Sequence, residues 1–275
     1  MARVAKAATP EVRVVLGGLH ATFRAEVLAG DAAVDAVVRF EGEASFPLCV
    51  DWLTGRGDAD DVPGLVARGP QGLRAVPPGP HVSFARMRPD YDAVRADEYV
   101  RAGVLAHVQT SRGCPYECHF CCHTTFWGRR VRKRDAGLVA EEITDLLGRG
   151  CDLVYLTDST FTIDRRRVRT LCDAFVAHGA DRATFAVETR IDRLDDALLE
   201  RMARAGVRIV ALGVESVSPA VLERVPDKKT ADPLAAVRDA VRRIHAHGMN
   251  AYASLVLGLP GETPASLRAL VDAVD

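Results

Sequence analysis

From Val104 onward the chain repeats one pattern: a short apolar run of strand length followed by an amphipathic stretch with helical spacing. Strands are predicted at 104–110, 153–156, 183–187, 208–212 and 251–257, and helices at 137–149, 165–178, 195–205, 219–225 with 233–247, and 264–274. Five such units in succession dictate an α/β fold with a parallel sheet, because a chain that returns through a helix re-enters the sheet in the same direction. Parallel strands joined this way present their C-terminal ends on one rim, where barrel enzymes place their chemistry. Each predicted end is polar or glycine-rich: Thr110-Ser111-Arg112-Gly113, Thr157-Asp158-Ser159, Glu188-Thr189-Arg190, Gly213-Val214-Glu215-Ser216 and Gly258-Leu259-Pro260-Gly261-Glu262.

The first of these ends runs into Cys114, Cys118 and Cys121, spaced C-x3-C-x2-C. Three thiolates can hold three irons of a cubane and leave the fourth open to a small molecule. Zinc is the first alternative, but it wants four N or S ligands, usually as two separated pairs, and no distant pair completes this set. An electron-carrying cluster with Cys122 as fourth ligand is the second, although adjacent residues rarely reach two corners of one polyhedron and simple ferredoxin runs are spaced differently. Disulfides are disfavoured by an odd count of seven cysteines and by a polar N-terminus without a signal stretch, so a reducing cytoplasm is expected. Cys49, Cys151 and Cys172 lie on apolar patterns and read as buried small hydrophobes.

Upstream, strands are predicted at 12–16, ending in Gly17-Gly18, and at 34–40, followed by Glu41-Gly42-Glu43 and a helix at 46–53. The stretch 55–97 is rich in Gly, Pro and Asp around Pro77-Pro78-Gly79-Pro80 and reads as a linker or covering arm. The expected organisation is therefore an α/β piece at 1–60, a linker at 61–100 and a core at 101–275. No run of about 18 apolar residues occurs, so no membrane span is expected. Arg-rich runs at 129–134 and 165–169 sit in a chain of net charge −1 that uses Arg in place of Lys, so they read as solvated faces rather than a nucleic-acid surface.

These motifs together resemble the radical S-adenosylmethionine (SAM) superfamily. The resemblance rests on residues 111–121, on Phe126-Trp127-Gly128-Arg129, on Thr157-Asp158-Ser159-Thr160-Phe161 and on the three later rim motifs. Gly17-Gly18-Leu19-His20-Ala21-Thr22 and Phe40-Glu41-Gly42-Glu43 are similar to the latter half of a cobalamin-binding domain, which marks the cobalamin-containing subgroup. The fold this implies is a partial (β/α) barrel preceded by half of a Rossmann-like domain. The resemblance assigns Cys114, Cys118 and Cys121 to a 4Fe-4S cluster whose open iron binds SAM through its amino and carboxylate groups. It places Phe120 near the adenine, Asp158, Ser159 and Thr160 at the methionine amino group, and Arg190 on the SAM carboxylate. Glu215 and Ser216 would meet the ribose or methionine end, Gly258, Leu259 and Pro260 the adenine, and Gly17 and Gly18 a cobalamin.

The implied activity is reductive cleavage of SAM to a 5'-deoxyadenosyl radical that takes hydrogen from a small-molecule substrate, leading to methyl transfer or ring formation. An electron donor such as flavodoxin or ferredoxin is the implied partner. Two departures stand beside this. The earlier strands of the cobalamin domain and its Asp-x-His-x-x-Gly loop are not in this sequence, and a sixth strand-helix unit does not follow the fifth. The expectations they raise are an open sheet edge at 251–257, a partner chain supplying missing elements, or a non-catalytic iron-sulfur-binding remnant.

Overall fold

The computed structural model describes residues 1–101, 103–225 and 232–272, and the chain divides into two units, 1–83 with 125–127, and 84–124 with 128–275.

The first unit begins with helix α1 (Ala2–Ala8) and carries strands β1 (Val15–Leu16), β2 (Ala36–Val38), β3 (Leu65–Gly69) and β4 (Gly72–Ala75) in one sheet of order β1-β2-β3-β4. β1 and β2 are parallel, while β2-β3 and β3-β4 are antiparallel. Helices α2 (Gly18–Phe23), α3 (Ala25–Ala29) and α4 (Gly42–Leu53) complete it. Ala21, Ala25 and Ala29 pack with Val34, Val37 and Val66, and Cys49 packs with Ala36, Val38, Val62 and Leu65, so the alternating side chains of β2 are covered on both faces.

Of the stretch expected as a linker, residues 61–83 group with the first unit and 84–100 with the second. Gly69-Pro70-Gln71-Gly72 turns β3 into β4, with Gly72 at a φ of 113°. The proline-rich segment beyond is tied down by Gly64 N–H to Pro77 O at 2.9 Å, Arg39 Nη2 to Val76 O at 2.7 Å and Val82 N–H to Glu41 Oε2 at 2.9 Å. Glycine and proline density marks turns here, and three buried residues of β3 supply the apolar anchor that a linker would lack.

The second unit opens with α5 (Ala96–Arg101) and holds a five-stranded, all-parallel sheet in the order β11-β10-β9-β8-β5. Its strands are β5 (Ala106–Val108), β8 (Leu153–Leu156), β9 (Thr184–Arg190), β10 (Val207–Glu215) and β11 (Asn250–Leu255). Between β5 and β8, the short strands β6 (Ser111–Arg112) and β7 (Arg132–Lys133) pair antiparallel and close a loop at its base; the loop contains α6 (His123–Trp127), of which 125–127 group with the first unit. The outer helices are α7 (Ala136–Gly148), α8 (Arg165–Ala177), α9 (Asp196–Arg204), α10 (Pro219–Leu222), α11 (Pro233–Ala246) and α12 (Pro264–Asp272). The five expected units are present with ends shifted by a few residues, and positions 273 and 274, expected in the last helix, lie outside the described residues.

Four of the outer helices start where the sequence supplies an aspartate: Asp135, Asp164, Asp195 and Asp232 accept from the backbone N–H three residues on in α7, α8, α9 and α11. Such caps satisfy N–H groups that a helix leaves without partners, each worth about 1 kcal/mol. One face of the sheet is dry. Val154, Leu156, Phe185, Val187, Val210 and Leu212 are buried against Ile143, Leu171, Phe175, Leu198, Met202 and Ile244 of the helices. The other face carries Tyr155, Glu188, Gly213 and Ser254 and is only partly covered. Among the described residues β11 pairs with β10 alone, and Tyr252 is exposed.

A buried network ties residues 84–91 to this unit. Tyr91 Oη donates to Glu142 Oε1 at 2.6 Å, Arg134 pairs with Glu142 Oε2, and Arg134 Nη1 donates to Gln109 O at 3.0 Å. Burial, with Glu142 beside it, pushes the Tyr91 hydroxyl well above the usual phenol range. Glu142→Ala strands the buried Arg134 guanidinium and is expected to destabilise the fold by about 3–5 kcal/mol, read as a lowered denaturant midpoint.

Candidate functional site

The rim of the second unit surrounds a cavity of about 150 Å³. Its wall on one side is the cysteine loop, with Cys114, Tyr116, Cys118, Phe120, Cys121 and Thr124. On the other side stand the strand ends: Ser159 and Thr160 after β8, Glu188, Thr189 and Arg190 of β9, Gly213 and Glu215 of β10, and Ser254 of β11. All three cysteines of the spaced motif share this wall. Cys122 does not, and is exposed. Cys114 is buried with its Sγ 4.0 Å from Thr160 Oγ1, and burial pushes the Cys121 thiol up from its ordinary value.

The loop is shaped by its own backbone. Gly113 has a φ of 95°, open to glycine and strained for other residues, and Cys114 N–H donates to Gly128 O at 3.1 Å across the base. Among the described residues no three His, Cys, Asp or Glu side chains are placed to hold one metal ion. Three thiols on one wall and a fourth turned away fit a multi-iron cluster held at three corners better than a tetrahedral zinc site.

Arg190, Glu188 and Glu215 are the charged side chains of the cavity lining. Arg190 holds both carboxylate oxygens of Asp192, at 2.8 and 3.0 Å, and its guanidinium carbon lies 3.9 Å from the Tyr116 ring centroid. Burial opposes ionisation of Asp192, but this two-pronged pairing holds its carboxyl below the usual range. Tyr155 Oη donates to Glu188 Oε2 at 3.1 Å, and burial together with Glu188 pushes the phenol up to about 12. Glu215 has a φ of 67°, at a break in register between β10 and β11, and Ser216 N–H bonds back to Val214 O at 2.8 Å around it. That conformation costs a non-glycine residue about 1–3 kcal/mol and turns the strand end so that Glu215 joins the wall.

Five residues expected at SAM do not line the cavity. Asp158 is buried behind it, every oxygen engaged by Thr110 and Ser111. Ser216 is buried and its hydroxyl accepts from Ser218 N–H at 3.2 Å. Leu259 packs with Val221, Leu222 and Val225 under α10, and this anchors Gly258 and Pro260 away from the wall. Phe120, Ser159, Thr160, Arg190 and Glu215 are on it. Tyr116, Thr124 and Ser254 were not anticipated; Ser254 could have been found, since strand alternation puts it on the same face as Tyr252, in register with Gly213. In the first unit, Gly17 caps α2 and Gly18 takes a φ of 86° with nothing within 4 Å of an added Cβ.

The Radical SAM superfamily model matches residues 108–274. The chain belongs to the radical SAM superfamily. An uncharacterized methyltransferase of Pyrococcus horikoshii is 31% identical over 276 residues, covering 98% of this chain and 59% of that protein. The anaerobic magnesium-protoporphyrin IX monomethyl ester cyclase of Rubrivivax gelatinosus is 29% identical over 279 residues, 97% of this chain and 49% of that one. This radical SAM chain thus spans about half the length of the curated relatives it matches. Among solved structures, the radical SAM methyltransferase TsrM from Kitasatospora setae superposes with a TM-score of 0.81 at 24% identity, over 95% of this chain and 53% of TsrM. The cobalamin-dependent radical SAM enzyme OxsB gives 0.81 at 18% identity, over 98% and 40%. At these identities the likeness establishes a shared fold.

Proposed function

We propose that this chain forms the catalytic core of a radical SAM enzyme, a cobalamin-linked methyltransferase or a cyclase, that acts on a small molecule and draws single electrons from a protein donor. The observation that carries this reading is that Cys114, Cys118 and Cys121 line one cavity with Arg190 and Glu215, while Cys122 is exposed and off it. In this reading the three thiolates hold a 4Fe-4S cluster at three corners. When bound, that cluster supplies the electron for reductive cleavage of SAM at its sulfonium.

The rest of the work falls to side chains. The methionine end of SAM is a zwitterion, and Arg190 and Glu215 offer it one cation and one anion on the same wall. Phe120, 39% exposed, offers a flat apolar face to the adenine. Glu188, oriented by Tyr155, stands on the strand face that leads inward from the rim, where a substrate would meet SAM. Glu215→Gln keeps the size and removes the charge; it is expected to weaken SAM binding by about tenfold, read by equilibrium dialysis, with iron content unchanged.

Cobalamin would lie on the first unit, against the turn at Gly17 and Gly18, where Leu19 and Phe23 of α2 are exposed. It would supply methyl transfer. The supporting observation is the pair of exposed apolar side chains, Leu19 and Phe23, beside a turn whose Gly18 has nothing within 4 Å of an added Cβ; a visible spectrum of the chain after hydroxocobalamin and gel filtration tests it. The enzymatic reading is tested by anaerobic reconstitution followed by assay for 5'-deoxyadenosine or S-adenosylhomocysteine from SAM. Neither product from protein with a full complement of iron would remove it.

A further inference from the structure

Asp158 was expected to meet the SAM amino group, and its surroundings assign it other work. Its Oδ1 accepts both backbone N–H groups of Thr110 and Ser111, at 2.7 and 2.9 Å. Its Oδ2 accepts both of their hydroxyls, at 2.5 and 2.9 Å. The residue is 3% exposed, and four donors saturate the four lone-pair directions of a carboxylate. A ligand ammonium would need an acceptor facing the cavity, and Asp158 presents none there.

The placement of these donors gives the arrangement its meaning. The β5-β8 ladder runs on through Thr157 N–H to Val108 O at 3.0 Å and ends at this cluster of bonds. Ser111 begins β6, Arg112 pairs with Arg132 of β7, and Gly113 and Cys114 follow at once. On the other side, the two residues after Asp158 are Ser159 and Thr160, both on the cavity wall, with Thr160 beside the Cys114 sulfur. One buried carboxylate therefore joins the root of the cysteine loop to the segment that faces it.

We propose that Asp158 is a positioning residue that clamps the root of the cysteine loop and so sets where Cys114 is presented, rather than a ligand of SAM. The clamp itself stands on this chain's hydrogen bonds; its bearing on iron uptake rests on the function proposed above. The two roles separate in the Asp158→Asn variant. The asparagine side chain keeps one oxygen for the two backbone N–H groups, and its amide can donate to the two hydroxyls, which accept as readily as they donate. A clamp survives that change, whereas a charge contact to an ammonium does not.

The experiment compares wild type, D158N and D158A by hydrogen exchange in cluster-free protein, then by iron content and SAM-induced spectral change after anaerobic reconstitution. Exchange at Thr110 and Ser111 is expected to rise about 10- to 100-fold in D158A and to stay within about twofold of wild type in D158N. Iron content should follow the same order, with D158N binding SAM as wild type does. Should D158A not fold, the double variant Thr110→Val with Ser111→Ala removes the two hydroxyl bonds alone and is expected to give an intermediate rise in exchange. Two results overturn the proposal: unchanged exchange in D158A, or in the double variant where D158A does not fold; and a D158N protein with full iron and normal exchange that no longer responds to SAM. If wild type takes up no iron, the enzymatic reading fails, and the exchange comparison still decides whether the clamp exists.

Discussion

Replacing Cys114, Cys118 or Cys121 with serine is expected to abolish cluster binding and lower turnover by at least about 100-fold, whereas Cys122→Ser leaves both near wild type. The four residues lie within nine positions of one another in sequence, so chemistry of the side chain alone does not separate them. Geometry does. The first three face a common cavity, and Cys122 precedes α6, exposed and off the wall. A hydroxyl at a ligand position keeps the shape and loses the soft anionic donor that iron in a cubane requires. Iron and acid-labile sulfide per chain, together with visible absorbance, check this for each variant. A zinc or ferredoxin-type site that used Cys122 would make all four substitutions equally damaging.

Gly113→Ala should be nearly as severe while leaving every thiol in place. A Cβ at this position would sit 2.3 Å from the carbonyl oxygen of Arg130, 2.9 Å from its carbon and 3.1 Å from the oxygen of Gly128. These are backbone atoms, and Gly128 O is also the acceptor for Cys114 N–H. The loop cannot yield without moving Cys114, and the φ of 95° adds strain of about 1–3 kcal/mol. Iron uptake is expected to fall at least threefold, with a lowered melting midpoint. Gly258→Ala is the matched control. Its φ is 87° with nothing within 4 Å, so it carries the backbone strain without the clash and should leave iron content unchanged.

Much of the second unit was legible because its periodicities are long and its helix starts are marked. An aspartate before α7, α8, α9 and α11, and apolar runs at β8 and β10, fix elements that tertiary context has little room to override. The first unit was read less fully. β3 is five residues long and β4 four, and the glycines and prolines that turn and tether them look like a linker until the buried Leu65, Val66 and Ala67 are seen paired with β2. At the site, sequence located the rim but not the direction of each side chain. Asp158 and Ser159 are neighbours, yet one is sealed behind the wall and the other faces the cavity. Past the end of a strand the two-residue alternation lapses, and local turns such as the one at Glu215 decide which group points inward. The placements at Ser216, Gly258, Leu259 and Pro260 were carried by resemblance alone, and the burial of Leu259 under α10 is a packing fact no motif encodes.

The most direct measurement is Mössbauer and electron paramagnetic resonance spectroscopy of the chain reconstituted with iron and sulfide under anaerobic conditions, before and after addition of SAM. The expected result is about four irons per chain in one cubane, with SAM altering the environment of a single iron. A preparation without a cubane, or with a cubane whose every iron is capped by protein and indifferent to SAM, would contradict the account.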